Sequence, residues 1–249
     1  MKFEQIKALL DENLIQKSNL ENLFSSPDPL QIARGHKEPE ICLICALFAY
    51  GNAKAIVKFL SNLDFGILDL SENEIRAQIR ALKPVYRFQN AQDIENIFIT
   101  IKRLREFDIQ SLIKSGFARN ERMIDGVNSL IQKIYTLNDF RSAGYEFFFG
   151  KSFENAPKSP YKRYNMWLRW MVRDSDIDLG IFRELPKSAL ILPLDTHTHK
   201  VSQKLGICKR KSYDFAAAME ITENLRKFDA ADPIKYDFAI YRLGQSGEI

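Results

Sequence analysis

The sequence predicts an all-α protein, and two observations support this fold class. Almost every segment repeats its apolar residues at helical spacing, which places them on one face of a helix. The alternation of apolar and polar residues that is typical of strands is nearly absent, with "ALIL" at 189–192 as its one short candidate. We therefore expect helices to build the whole core.

Helices are predicted in chain order wherever such an apolar face recurs. In the first, at 2–15, Phe3, Ile6 and Leu10 fall on one stripe. The segment 40–50 is apolar on all sides, which predicts a helix at the centre of the core. Further helices are predicted at 72–82, 91–107, 119–136, 139–148, 162–173, 196–205, 214–228 and 233–243.

Capping and breaker residues set the expected ends of two of these helices. Gly206 predicts a stop directly after the helix at 196–205. Asp232 and Pro233 predict a cap followed by a proline in the first turn, and Gly244 predicts the end of that last helix.

A polar stretch rich in glycine, proline and serine, "FGKSFENAPKSPYK" at 149–162, is the predicted internal boundary. It separates a mostly neutral helical half from a basic half. Because the first helices are expected to pack with the second half, we predict two helical lobes in one globular chain. The lobes are 40–150, and 1–39 together with 151–249.

The composition is ordinary for a soluble protein, since 45% of the 249 residues are hydrophobic and 27% are charged, and the cysteine usage predicts a cytoplasmic location. No apolar run approaches the roughly 18 residues of a membrane span, and the acidic N-terminal segment does not resemble an export signal. Three cysteines are too few for a disulfide framework. Cys42 and Cys45 share one apolar helix face, which favours small hydrophobic side chains over redox or metal groups.

The charge of the chain is small but unevenly distributed. A net charge of +4 permits nucleic-acid binding without requiring it. Two basic segments that contain no acid, 158–173 and 197–211, lie on either side of Asp195. This arrangement makes Asp195 a candidate functional residue.

Asp195 lies in "LPLDTHTHKV", where Pro193 precedes the start of a predicted helix. It is either an N-cap, worth about 1 kcal/mol, or a catalytic carboxylate. Lys162 is the partner to test, because it begins another helix after a Ser-Pro turn. The positive helix N-terminus and the adjacent Arg163 are expected to lower the pKa of this amine, as a nucleophile needs. The alternative for Lys162 is an ordinary exposed lysine.

Basic side chains in both segments share helix faces, which fits either contacts to DNA phosphates or a solvated surface. His197 and His199 point in different directions on a helix, so no metal site is predicted. Pro84 breaks a predicted helix in "PVYRFQN" at 84–90, and this segment contains Arg87. The candidate phosphate contacts are Arg87, Arg163, Arg169, Arg173, His197, His199, Lys200 and Lys204.

The segment "PLDTHTHKVSQKLG" at 193–206 resembles the helix-hairpin-helix DNA glycosylase superfamily, which includes endonuclease III, around its catalytic aspartate. Together with "KRYNMWLRWMVR" at 162–173 and "DPIKYDFAIYRLG" at 232–244, it also resembles an uncharacterised bacterial family that is similar to a distant branch of this superfamily. This second resemblance extends over most of the chain.

The resemblance implies a two-lobed helical fold, with a cleft for double-stranded DNA, that removes a damaged base flipped from the duplex. It implies a monomer in which Lys162 attacks the sugar and forms a Schiff base, assisted by Asp195 as the catalytic carboxylate. The pair is 33 positions apart, which is similar to the archaeal 8-oxoguanine glycosylase branch. Oxidised guanine is therefore the first substrate expected.

The sequence departs from the superfamily at two points. The Leu-Pro-Gly-x-Gly of the hairpin is replaced by "KSPYKRYN", which lacks the glycines that let backbone amides approach a phosphate. The four-cysteine cluster is absent, so neither an iron–sulfur cluster nor another cofactor is expected.

A flipped base needs flat apolar walls and a few polar groups. The candidates, with a helix connector or core packing as their alternatives, are Tyr50 and Asn52 in "AYGN", Trp167, Asp237 and Phe238. The main rival to a glycosylase is a non-catalytic nucleic-acid-binding protein with the same fold, and a further alternative is a role on RNA.

Overall fold

The computed structural model describes residues 2–247. Within that range, every secondary-structure element longer than an isolated bridge is a helix. Residues 2–247 form fourteen α-helices and two short 3-10 helices. The β pairing in the described range is limited to two isolated bridges, Tyr86 with Gln89 and Asp174 with Leu179. The predicted all-α class is confirmed, and "ALIL" forms the end of a 3-10 turn and an extended segment rather than a strand.

The α-helices are numbered in chain order. They are α1 Phe3–Lys17, α2 Leu20–Ser25, α3 Pro29–His36, α4 Pro39–Leu47, α5 Ala53–Ser61, α6 Glu72–Leu82, α7 Ala91–Leu104, α8 Ile109–Phe117, α9 Met123–Leu137, α10 Ala143–Phe149, α11 Lys162–Val172, α12 Thr196–Lys204, α13 Phe215–Arg226 and α14 Asp237–Ser246. The 3-10 helices are Phe65–Asp69 and Lys187–Ala189. None of the described helices is long and apolar enough to cross a bilayer.

The chain divides into two compact units. The terminal unit consists of Met1–Gln31 and Asn155–Ile249, and the central unit of Ile32–Glu154. The second junction, between 154 and 155, falls inside the polar stretch at 149–162. Both Lys162 and Asp195 belong to the terminal unit.

The helix that is apolar on all sides lies in the core of the central unit. Every residue of α4 from Ile41 to Leu47 is buried. Cys42 and Cys45 are free thiols within it, and burial raises the pKa of Cys42 to about 12. The prediction that these thiols act as small hydrophobic side chains is therefore confirmed.

The terminal unit places α14 against both α1 and α12. Two polar contacts with the N-terminal helices hold α14. The hydroxyl of Tyr236 donates to Asp11 at 2.6 Å, and the guanidinium of Arg242 donates to the carbonyl oxygen of Asn22 at 2.8 Å. The N-terminal segment is thus part of the framework that carries α12 and α14.

The predicted ends of α14 are wrong, and its surroundings show why. Residues 233–236 form a turn, and the helix begins at Asp237. Asp232 does not cap it, because both its carboxylate oxygens accept hydrogen bonds from Arg173. Gly244 lies inside the helix, where an added Cβ would come within 3.0 Å of His197 and Val201 of α12. This glycine permits close packing of the two helices.

The stop at Gly206 is confirmed, because α12 ends at Lys204 and Gly206 has a φ of +77°. Four short helices, α2, α3, α5 and α8, were not predicted. Each spans nine residues or fewer, which is shorter than the window in which helical periodicity becomes visible.

Candidate active site

Asp195 is the N-cap of α12. Its backbone is extended, and its Oδ1 accepts a hydrogen bond from the Thr198 amide at 2.8 Å. The segment before it is fixed, since the Tyr213 hydroxyl donates to the Leu194 carbonyl at 2.7 Å and the Leu192 amide donates to Thr222 at 3.0 Å. The capping role is confirmed, and the carboxylate is held in one orientation.

The Asp195 carboxylate remains available for other interactions. It is partly exposed, and it forms no ion pair with any residue in the described range 2–247. Its charge affects its neighbours: burial first, and then Asp195, raise the pKa of Tyr213 to about 12. A fixed carboxylate without a cationic partner can stabilise positive charge on a ligand.

Lys162 is the first residue of α11 and is half-buried. The preceding Tyr161 adopts a left-handed conformation, with a φ of 48°, and does not cap the helix with its side chain. Asn165 stabilises the turn, because its side-chain amide donates to the Pro160 carbonyl at 3.0 Å. Lys162 makes no ion pair with the part of the chain that the structure describes. A strained turn of this kind fits a lysine that is held in position for a function.

The strain at Tyr161 leads to a stability prediction. We expect Tyr161→Gly to have a free energy of unfolding about 1 kcal/mol greater than Tyr161→Ala, because only glycine adopts this conformation without a steric penalty. Chemical denaturation of both variants measures the difference. The same pair of substitutions at Lys200, an exposed position inside α12, should show the opposite order. Equal stabilities at position 161 would contradict the strain.

The predicted phosphate contacts Arg169 and Arg173 are wrong, because both side chains are buried in an ionic network. Arg169 contacts Asp237 at 2.5 Å and Asp178 at 3.2 Å. Arg173 contacts Asp178 and, at 3.0 Å, Asp232. The two arginines share one helix face, as their spacing predicts, but that face points inward.

Two charged groups of this network, Arg169 and Asp237, shift each other's pKa, and burial acts on both of them. Although burial by itself lowers the pKa of Arg169, the charges of Asp178 and Asp237 raise it above the ordinary arginine value. Burial raises the pKa of Asp237 to about 6, against the effect of Arg169 and with a contribution from Asp195. The network therefore holds the start of α14 against α11 and lies close to the Asp195 carboxylate.

Three predicted substrate contacts, Trp167, Asp237 and Phe238, are also buried. The ring of Trp167 packs against Phe182, with centroids 5.5 Å apart. Phe238 lies between two guanidinium groups, 5.9 Å from that of Arg169 and 4.8 Å from that of Arg242. Trp167 and Phe238 therefore pack in the core, which was the alternative to a contact with the base.

Among the basic residues of α12, His197, Lys200 and Lys204 are exposed. His199 is buried and lies 3.1 Å from the Arg210 carbonyl oxygen, so its prediction as a DNA contact is wrong. Arg163 is half-buried at the start of α11. Exposed basic side chains therefore lie on α12 and continue after it at Lys209, Arg210 and Lys211.

The remaining predicted residues belong to the central unit. Tyr50 packs in parallel with Phe88, and the Arg87 guanidinium lies 5.8 Å from the Tyr50 ring and 5.7 Å from the Phe88 ring. Asn52 caps α5 by accepting from the Lys54 amide at 3.0 Å. Phe88 was not among the predicted site residues, although it directly follows Arg87 in the sequence. The structure places its largely exposed ring against Tyr50 and Arg87.

No three His, Cys, Asp or Glu side chains within residues 2–247 are placed to hold a metal ion. The family model described as "Protein of unknown function (DUF2400)" matches residues 28–246, which includes Lys162 and Asp195. No curated protein and no solved structure matches the chain. The chemistry of the site must therefore be inferred from the residues themselves.

Proposed function

The chain belongs to the DUF2400 family, and we propose that it is a DNA glycosylase with abasic-site lyase activity. One observation carries the proposal: the terminal unit holds a fixed, partly exposed carboxylate, Asp195, and a half-buried amine, Lys162, neither of which is ion-paired within the described residues. Together they fit the amine and acid that the sequence resemblance implies.

The proposed reaction uses the two groups in sequence. The neutral amine of Lys162 attacks C1′ of the damaged nucleotide, and the glycosidic bond breaks with its electron pair leaving on the base. Asp195 stabilises the positive charge on the sugar and accepts the proton released from the attacking amine. Ring opening gives a Schiff base between Lys162 and C1′, and loss of a C2′ proton then expels the 3′ phosphate.

The substrate proposed is double-stranded DNA with an oxidised base, with 8-oxoguanine as the first lesion to test, and the protein is proposed to act as a monomer. Exposed Lys200 and Lys204 supply positive charge on α12, the helix that Asp195 caps, and His197 is exposed in its first turn. These side chains replace the buried Arg169 and Arg173 as candidate phosphate contacts. Phosphate contacts of this kind give sequence-independent, salt-sensitive affinity.

Borohydride trapping tests the proposal, because reduction converts a Schiff base into a stable covalent adduct. We expect the wild-type chain to form an adduct with a duplex that carries an abasic site, and Lys162→Ala to form none. The matched control is Lys158→Ala, which removes an exposed lysine from the same segment but keeps the backbone hydrogen bond from Phe215 to its carbonyl. A full adduct yield from Lys162→Ala would overturn the assignment of the nucleophile.

The second candidate is a nucleic-acid-binding protein without catalysis. Tyr161 favours it, because a tyrosine side chain stands at a turn where a glycine would let a phosphate approach the backbone. Tight duplex binding with no adduct and no base release, on 8-oxoguanine, uracil, hypoxanthine and abasic sites, would support this candidate. Tighter binding of duplex RNA than of duplex DNA at matched salt would indicate a role on RNA.

A further inference from the structure

Tyr241 lies on the side of α14 that faces α12. Its ring centroid is 6.3 Å from that of His197 and 6.5 Å from that of Phe238. Gly244, three residues further along α14, lets α12 approach closely. The ring of Tyr241 is thus beside the first turn of α12, two residues from the Asp195 cap.

The hydroxyl of Tyr241 is free, unlike those of other tyrosines in the terminal unit. Tyr236 donates to Asp11, and Tyr213 donates to the Leu194 carbonyl oxygen. The Tyr241 hydroxyl makes no hydrogen bond within residues 2–247, and it is not among the buried atoms that lack a partner. It therefore retains access to solvent while most of the ring is enclosed.

The charges around Tyr241 keep this hydroxyl protonated. Burial and the carboxylates of Asp28 and Asp195 raise its pKa to about 12, with a smaller contribution from Asp237. A phenol in this state is a hydrogen-bond donor across the physiological pH range. The Tyr241 hydroxyl donates to neither Asp28 nor Asp195 in the structure, so this donor remains available to a ligand.

We propose that Tyr241 contacts the substrate directly, and that its hydroxyl donates a hydrogen bond to a carbonyl oxygen or ring nitrogen of the base leaving from the sugar beside Asp195. The inference rests on the proposed glycosylase function. Negative charge develops on the base as its bond to C1′ breaks, and a fixed donor stabilises that charge. The hydrogen bond shifts no proton and needs no further reactant.

This assignment also narrows the substrate class to bases with a hydrogen-bond acceptor on the edge that faces α14. Phe238, the ring predicted from the sequence, is buried between guanidinium groups and cannot reach a base. Tyr241 lies four positions after Asp237, on the same helix face, and is only partly buried. Helical spacing from Asp237 is the sequence signal that would have found it.

The test separates release of the base from cleavage at a site that has no base. We expect Tyr241→Phe to release the base about 10- to 100-fold more slowly than the wild type in single-turnover assays, the effect of losing one hydrogen bond to a charged group. The probe is the duplex, among those with 8-oxoguanine, uracil or hypoxanthine, that the wild type processes fastest. The same variant should trap on an abasic duplex at the wild-type rate, because no base is present there.

Tyr135→Phe is the matched control, since it removes a phenol hydroxyl that donates to a backbone carbonyl, that of Gly150 at 2.7 Å, wholly within the central unit. Wild-type base release by Tyr241→Phe, equal slowing of both reactions, or the same slowing in Tyr135→Phe would overturn the assignment of Tyr241. Loss of both reactions in the wild type itself would instead overturn the proposed function, and this inference with it. Because the Tyr241 hydroxyl makes no hydrogen bond to the described part of the chain, its removal should leave folding intact.

Discussion

Replacing Asp195 with asparagine is expected to slow base release by about a thousandfold, the scale seen when a group that stabilises transition-state charge is removed. Asparagine is almost isosteric and retains an oxygen that can accept the hydrogen bond from Thr198, which is 2.8 Å long in the native cap. Asparagine is also among the best N-cap residues, so the cost in stability should be at most a few tenths of a kcal/mol. The variant therefore removes the charge and keeps the structure.

Single-turnover base release and duplex affinity, measured on the same preparation, check this prediction. Affinity should fall only modestly, because Asp195 makes no contact that attracts phosphate. Asp214→Asn is the matched control: Asp214 caps α13 by accepting from the Ala217 amide at 2.8 Å, and its ion pair with Arg210 is on the surface. Unchanged base release in Asp195→Asn, or equal loss in Asp214→Asn, would show that the charge of Asp195 has no catalytic role.

Replacing Asp178 with asparagine is expected to lower the free energy of unfolding by about 3–5 kcal/mol, because it removes one of the three carboxylates that balance two buried guanidinium groups. The Asp178 side chain is fully buried and joins Arg169 to Arg173. Asparagine offers one acceptor oxygen and no charge, so each guanidinium loses one of its two carboxylate partners and keeps only Asp237 or Asp232. The segment after α11 and the start of α14 should loosen together.

Urea or guanidinium denaturation of the wild type and the variant measures this loss. The control is Asp174→Asn, at a surface pair in which the Asp174 and Arg183 side chains are 71% and 77% exposed and 3.8 Å apart. Solvent screens such a pair, so the control should change stability by less than about 1 kcal/mol. Equal effects of the two substitutions would contradict a structural role for the buried network.

The prediction for Asp178 also bears on the site. Asp237 contacts Arg169 and influences the field around Asp195, so a loosened network should disturb α14 and, with it, Tyr241. Base release by Asp178→Asn at a temperature where the variant remains folded should therefore fall, although Asp178 itself is buried and cannot touch the substrate.

Local sequence determined the helical class, the cap at Asp195 and the stop at Gly206. These features depend on neighbours within one or two turns: apolar spacing sets the buried face of a helix, and an aspartate beside free amides caps it. The start of α11 at Lys162 was also predictable, because a Ser-Pro turn precedes it. The short helices were not, since their stability comes from packing more than from their own periodicity.

Only the tertiary structure determined which basic and aromatic side chains are exposed and which are buried. Arg169 and Arg173 have the spacing of a solvated basic stripe, and the segment 158–173 that contains them has no acid. Asp178, five residues after Arg173, pairs with both arginines, but their other partners are remote: Asp232 is 59 residues from Arg173, and Asp237 is 68 residues from Arg169. Chain folding also brought α12 against α14 at Gly244 and left Tyr241, rather than Phe238, within reach of a ligand. Periodicity determines that a helix has two faces, but the charge and shape of distant segments determine which face is buried.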